Sequence, residues 1–247
     1  MTVTVRPLTC GWLTAEARGM VDLEDVSGPM RMPVGAFLVE HPKGSLVFDT
    51  GMHPELMVSK DRLRRVGPLF DLELDDDGLV DGQLRAQGVD PDALAMAVVS
   101  HLHFDHAGGL CRLPNARVLV QAAEWEAARN EKHIAFGTYE PTDFDLGHDK
   151  ELLDGEHDVF GDGSVRLVPT PGHTPGHQSL LVEGRRLLVG DACYCRLALD
   201  RDALPMFSPD ADRQRATFGW LREQEAAGVE LVFSHDPDQW AGLGPVL

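Results

Sequence analysis

Ser100-His101-Leu102-His103-Phe104-Asp105-His106-Ala107-Gly108-Gly109 is the stretch that decides how this chain is read. Three imidazoles and a carboxylate fall within six residues, directly after the apolar run Ala95-Met96-Ala97-Val98-Val99. Ala95 to Ser100 reads as a buried strand that delivers the cluster at its C-terminal end, where α/β architectures place their chemistry. His101 and His103 are two apart and point to one side of an extended segment; Asp105 continues that register. His106 breaks it and serves a second metal if the chain turns there. Gly108 and Gly109 permit such a turn and a close backbone approach. A lone His-x-His means little. His-x-His-x-Asp-His followed by Gly-Gly points to a metal site rather than to structural histidines.

More donors lie downstream, each after a run that reads as a strand. His173 follows Val165–Thr170 within Pro171-Gly172-His173-Thr174-Pro175-Gly176-His177, Asp191 follows Arg186–Gly190, and His235 follows Val229–Ser234. Strand ends that converge on one rim place His101, His103 and His173 on one cation. Asp105, His106 and His235 fall on a second, with Asp191 between them. Imidazole and carboxylate donors without thiolate suit zinc, and also iron, manganese or cobalt.

The rest of the composition narrows the class. The 247 residues carry 22 basic and 40 acidic side chains, a formal net charge of −18. Such a surface repels phosphate backbones, so nucleic acid is not an expected partner. Cys10, Cys111, Cys193 and Cys195 form no dense disulfide framework, and a chain of this length needs none. The N-terminal residues lack the basic and long apolar segments of a signal peptide, and no apolar run reaches the roughly 20 residues of a membrane span. A cytoplasmic protein is expected, monomer or homodimer, acting on a small molecule.

Along the chain, Val3 to Pro7 reads as a short strand and Met20 to Met32 as a loop. Gly35–Glu40 and Ser45–Asp49 read as strands separated by a Pro-Gly turn. Residues 52–80 have no clear period and read as a solvated loop with a short helix, or else as a flap beside the site. Asp81–Gln87 is a short helix closed by Gly88, Arg117–Gln121 a strand, Ala122–Asn130 a helix, and Lys132–Asp149 irregular. Strands at His157–Phe160, Val165–Thr170, Gln178–Glu183 and Arg186–Gly190 follow. A helix capped by Ser208-Pro209 runs to about Ala227 and stops at Gly228. Strands first and helices after them, in each half, suggest one domain of two β-rich units packed face to face with helices outside.

This pattern resembles the metallo-β-lactamase superfamily over nearly the whole chain. Phe48-Asp49-Thr50-Gly51, the opening cluster, Thr170-Pro171-Gly172-His173, Gly190-Asp191 and Phe233-Ser234-His235-Asp236 stand in that superfamily's order. The resemblance implies an α/β fold, a four-layer αβ/βα sandwich, with a two-metal site at one edge. Within the superfamily the chain looks most like the N-acyl homoserine lactonases. The carriers are residues 100–109, Thr170-Pro171-Gly172-His173-Thr174-Pro175-Gly176-His177-Gln178-Ser179-Leu180 and Asp191-Ala192-Cys193-Tyr194. In that family a tyrosine three residues after the bridging aspartate points into the site, a place held here by Tyr194. Phe104 matches an aromatic that touches the acyl chain.

The resemblance implies a hydrolase that opens a lactone by attack of a hydroxide held between two divalent metals, zinc first among them. Tyr194 would stabilise the developing oxyanion, and Asp105 would pass a proton to the leaving alkoxide. Lactonases of pyridoxine breakdown look similar at the same motifs, a glyoxalase-II-like thioesterase shares the metal ligands, and a non-enzymatic metal-binding module is the bland alternative. His177 is expected to order the Pro-Gly loop and Asp49 to steady the ligand loop. Cys193 and Cys195 read as strand-end packing, or else as redox-sensitive thiols. Met20, Met30 and Met32 read as core rather than substrate wall.

Overall fold

Twelve strands divide between two sheets laid face to face in the computed structural model, which describes residues 3–247. The strands β1 (Thr4–Glu16), β2 (Pro29–His41), β3 (Gly44–Phe48), β4 (Asp71–Glu73), β5 (Met96–Val98), β6 (Arg117–Gln121) and β7 (Lys150–Leu153) form the first. Its order is β4-β1-β2-β3-β5-β6-β7. The strands β8 (His157–Asp158), β9 (Val165–Pro169), β10 (Gln178–Val182), β11 (Arg186–Gly190) and β12 (Glu230–Phe233) form the second, in the order β12-β11-β10-β9-β8.

The period-2 alternation of side chains sorts three apolar layers. Phe37, Val39, Leu46, Phe48 and Val98 of the first sheet meet Val165, Leu167, Leu180, Leu188 and Val232 of the second. Their neighbours Ala36, Leu38, Val47 and Ala97 point the other way, toward Leu84, Leu110 and Trp125. On the far side, Leu187, Val189, Leu231 and Phe233 pack against Phe218 and Leu221 of the helix Ala211–Ala226. Helix, sheet, sheet, helix is the four-layer sandwich expected from the sequence.

Several boundaries differ from expectation. β1 does not stop at Pro7 but pairs with β2 from Thr4↔Glu40 to Glu16↔Pro29, with a register shift between Thr9 and Trp12. That irregularity interrupts the alternation which would have betrayed a long strand. β2 accordingly begins at Pro29, inside the stretch read as loop. The last long helix is capped by Asp210, whose carboxylate accepts from the Arg213 N–H at 3.0 Å, rather than by Ser208. Residues 52–80 fold into three short 3₁₀ turns and the edge strand β4, pieces too short to show a period. Among the described residues no helix is long and apolar enough to cross a membrane.

Candidate metal centre

Five strands, β3, β5, β9, β11 and β12, end at one rim, and each is followed by residues of the site. Asp49, after β3, carries the unusual φ of +61°, which Asp tolerates better than most side chains. Its carboxylate accepts from the Ser100 N–H at 2.6 Å, from the Ser100 hydroxyl at 2.9 Å and from His106 Nδ1 at 2.9 Å. That last contact places a proton on Nδ1 and turns His106 Nε2 into the cluster. A Cβ on Gly109 would sit 2.0 Å from the Thr50 carbonyl oxygen, so only glycine lets this loop close down on the strand end.

The other imidazoles are aimed in the same way. His235 Nδ1 donates to the Pro33 carbonyl at 2.8 Å, which turns Nε2 inward. His103 Nδ1 and His173 Nε2 face each other at 3.1 Å. Asp191 lies between the two groups. Its Oδ1 is 3.2 Å from His106 Nε2 and 3.1 Å from His235 Nε2, and its Oδ2 is 3.4 Å from His173 Nε2 and 3.8 Å from His101 Nε2. Asp105 Oδ2 stands 3.6 Å from His235 Nε2 and 3.7 Å from His106 Nε2.

The ligand atoms of His101, His103 and His173 lie within 4.8 Å of one another, and so do those of Asp105, His106 and His235. The structure thus brings all seven sequence-derived donors together in the two groups expected, with one carboxylate oxygen of Asp191 turned to each. His41, His53, His133 and His148 make their hydrogen bonds outside the cluster, and His157 lies in β8.

This donor set fits cations. His101 Nε2 is buried with no hydrogen-bond partner. Burial holds His101, His103 and His173 below the ordinary imidazole range, His173 at about 4, so each ring is neutral at neutral pH and keeps one nitrogen lone pair. Burial opposes a proton on His106 and His235 too, but Asp191 and Asp105 outweigh it and hold both above the ordinary value. Cations at this place therefore compete with protons for the same lone pairs.

Two networks were not legible in the sequence. His177 does not order its own loop alone. Its Nε2 accepts from the Asp191 N–H at 2.9 Å, and its Nδ1 meets Thr170 Oγ1 at 2.9 Å, which continues to Ser179 Oγ at 2.8 Å. Gly190, at φ +61°, makes room for that ring, since a Cβ there would meet His177 Nε2 at 2.8 Å. Glu124, wholly buried, accepts from Leu102 N–H and Tyr139 O–H. The one signal for it was an acidic residue at the start of a helix otherwise rich in alanine, Ala122–Ala128.

Beside the cluster opens a cavity of about 270 Å³. Tyr194 lies on its floor, packed edge-on against His173 and His235. Burial pushes its phenol well above the ordinary range, so the hydroxyl keeps its proton. Phe104, tilted against Phe70, forms one wall, with Met20, Met32, Phe136 and Phe207 around it. Met20 and Met32 line this cavity and also pack with the core, as Met30 does. Val66, Leu69 and Phe70 come from the segment read as solvated loop, which is the flap of the other reading.

That flap is pinned to the segment 131–145. Arg62 reaches Glu55 at 3.0 Å, the Thr142 hydroxyl at 2.8 Å and the buried Asp143 at 2.8 Å. Cys193 and Cys195 are buried, with thiols pushed above the ordinary range, Cys195 to about 11, so they pack rather than react.

A two-lobed His/Asp centre at the edge of an αβ/βα sandwich defines a metal-dependent hydrolase class. The family model described as "Metallo-beta-lactamase superfamily" matches residues 31–235, and the chain belongs to that superfamily. Among its relatives is "N-acyl homoserine lactonase AttM" of Azorhizobium caulinodans, 37% identical over 85% of this chain and 84% of that protein. The solved structure of a Bacillus thuringiensis AiiA variant with N-decanoyl-L-homoserine bound at the active site superposes with a TM-score of 0.86. It is 26% identical, covering 99% of this chain and 98% of that one. An N-acyl homoserine lactone hydrolase with the product N-hexanoyl-L-homoserine bound at its catalytic metal centre superposes at 0.85, also at 26% identity, over 99% and 98% of the two chains.

Proposed function

We propose that the protein opens the ring of N-acyl homoserine lactones at a centre of two divalent cations, zinc first among them. His101, His103 and His173 would hold one cation, Asp105, His106 and His235 the other, with Asp191 between them. Bound there, divalent cations supply Lewis acidity and lower the pKa of water from about 15.7 to about 7. The remaining chemistry belongs to the chain. The Tyr194 hydroxyl, still protonated, donates to the negative charge that develops on the lactone oxygen. Asp105 would pass a proton to the leaving alkoxide through the carboxylate oxygen left free of cation. Met20, Met32, Phe70, Phe104, Phe136 and Phe207 take the acyl tail out of water. The product is an open hydroxy acid.

The observation that carries this reading is the apolar cavity opening directly onto the donor cluster, with Tyr194 between them. A thioester or β-lactam hydrolase needs the donors but not that combination. The test is turnover by metal-quantified protein on a panel: hexanoyl and decanoyl homoserine lactones, a γ-lactone without a tail, an aromatic fused lactone, a thioester and a β-lactam. The acyl homoserine lactones should give the highest kcat/KM. Turnover of the thioester or the β-lactam alone would refute the lactonase reading, and preference for the fused lactone would move the substrate.

A further inference from the structure

Glu124 is a buried carboxylate close to the cluster that the proposed chemistry does not use. It sits in the first turn of the helix Ala122–Ala128 with no exposure to solvent, and no cation pairs with it. Its Oε1 accepts from the Leu102 N–H at 3.0 Å and from the Tyr139 hydroxyl at 2.9 Å, and its Oε2 accepts from the Gly176 N–H at 3.2 Å. Those donors belong to three separate segments. Leu102 lies between His101 and His103. Gly176 lies in the loop between His173 and His177. Tyr139 forms an isolated β-bridge with His103, and its ring lies tilted against that imidazole, centroids 4.8 Å apart. The approach is close by construction: a Cβ on Gly176 would fall 2.1 Å from the Glu124 backbone nitrogen.

We infer that Glu124 is a positioning residue for the metal centre, the tie that sets the spacing of the His101–His103 loop against the His173 loop. Each of its partners is a donor, so the site is built for an acceptor-only side chain. Burial pushes the carboxyl up, and Thr174, Leu102, Tyr139 and Gly176 beside it act against that rise. Removing the tie lets His103 and His173 part without touching either ligand. Residues that orient metal ligands typically carry 10–100-fold in metal affinity.

The inference rests on the reading of the cluster as a two-cation centre. The test compares wild type, Glu124→Gln and Tyr139→Phe, each checked for fold by circular dichroism, with zinc affinity measured by chelator competition and stoichiometry by elemental analysis. Glu124→Gln keeps the size of the side chain but turns an N–H₂ toward one of the donors. It should bind zinc roughly 10–100-fold more weakly, with the larger loss at the cation held by His101, His103 and His173. Tyr139→Phe removes one donor and should give a smaller loss of the same kind. A wild-type protein that takes up no zinc would overturn the two-cation reading. A folded Glu124→Gln that binds two zinc ions with wild-type affinity would overturn this one. If Glu124→Gln does not fold, Tyr139→Phe decides: wild-type zinc affinity in it sinks the proposal.

Discussion

At the scale of single residues, Asp191 is the side chain on which both halves of the cluster depend, because each of its oxygens faces a different group of imidazoles. Asp191→Asn replaces one oxygen by a donor and should lose metal and lactonase activity together, as measured by elemental analysis beside turnover. Tyr194→Phe should keep both metals and lose roughly 10²-fold in kcat, the usual worth of one oxyanion donor; unchanged kcat would take the tyrosine out of the reaction. The buried histidines also set a pH dependence. His101, His103, His173 and His177 are held below the ordinary value by burial, the last two at about 4 and about 3. The unfolded chain therefore binds their protons first, and stability falls as pH drops through 6.5. His106 and His235, raised, already hold their protons while the unfolded chain completes its own, so they pull weakly the other way. Asp105, Asp143 and Glu124, also raised, pull the other way too, three carboxyls against four histidines. Metal-free protein should lose about 1–3 kcal/mol between pH 6.5 and 5 by urea denaturation; a flat profile contradicts the burial argument.

At the scale of elements, the cavity is walled partly by β1 and β2 and partly by segments outside either sheet. Arg62 and its partners fasten the flap at 54–74 to the segment 131–145, and Gly137 packs so tightly that a Cβ there would meet the Leu63 carbonyl oxygen at 2.2 Å. Asp143 is buried, and burial pushes it up to about 7 even with Arg62 beside it. Arg62→Met strands that carboxyl. The cost should be on the order of 3 kcal/mol at pH 8 and smaller at pH 6, where Asp143 takes up a proton. The same variant should raise KM for decanoyl homoserine lactone more than for a γ-lactone without a tail, since it loosens a wall and not the centre. Equal changes in both KM values would argue that the clamp does not shape the cavity.

At the scale of the whole molecule, the fold is a frame whose strand ends bring seven donors to one rim, and cations bound there stabilise the frame in return. Stripping the metal should lower the thermal midpoint, and zinc should restore it, by about 4 kcal/mol when free zinc is 1,000 times its Kd. A midpoint indifferent to chelator would mean the centre forms without cations. The sequence by itself determined much of this. His101, His103, Asp105, His106, His173, Asp191 and His235 were legible because each stands beside a strand end with turn residues around it, a local pattern. The layered α/β architecture was legible because period-2 burial is also local. The tertiary structure alone decided the rest. Glu124 and His177 act through backbone N–H groups, and any sequence carries those at every position except proline. Glu124 meets Gly176 from 52 positions away, and the pocket-facing sides of Met20 and Phe70 exist only once segments without a period of their own are folded against one another. Donors announce themselves by residue type; what aims them depends on distances that only the packed chain fixes.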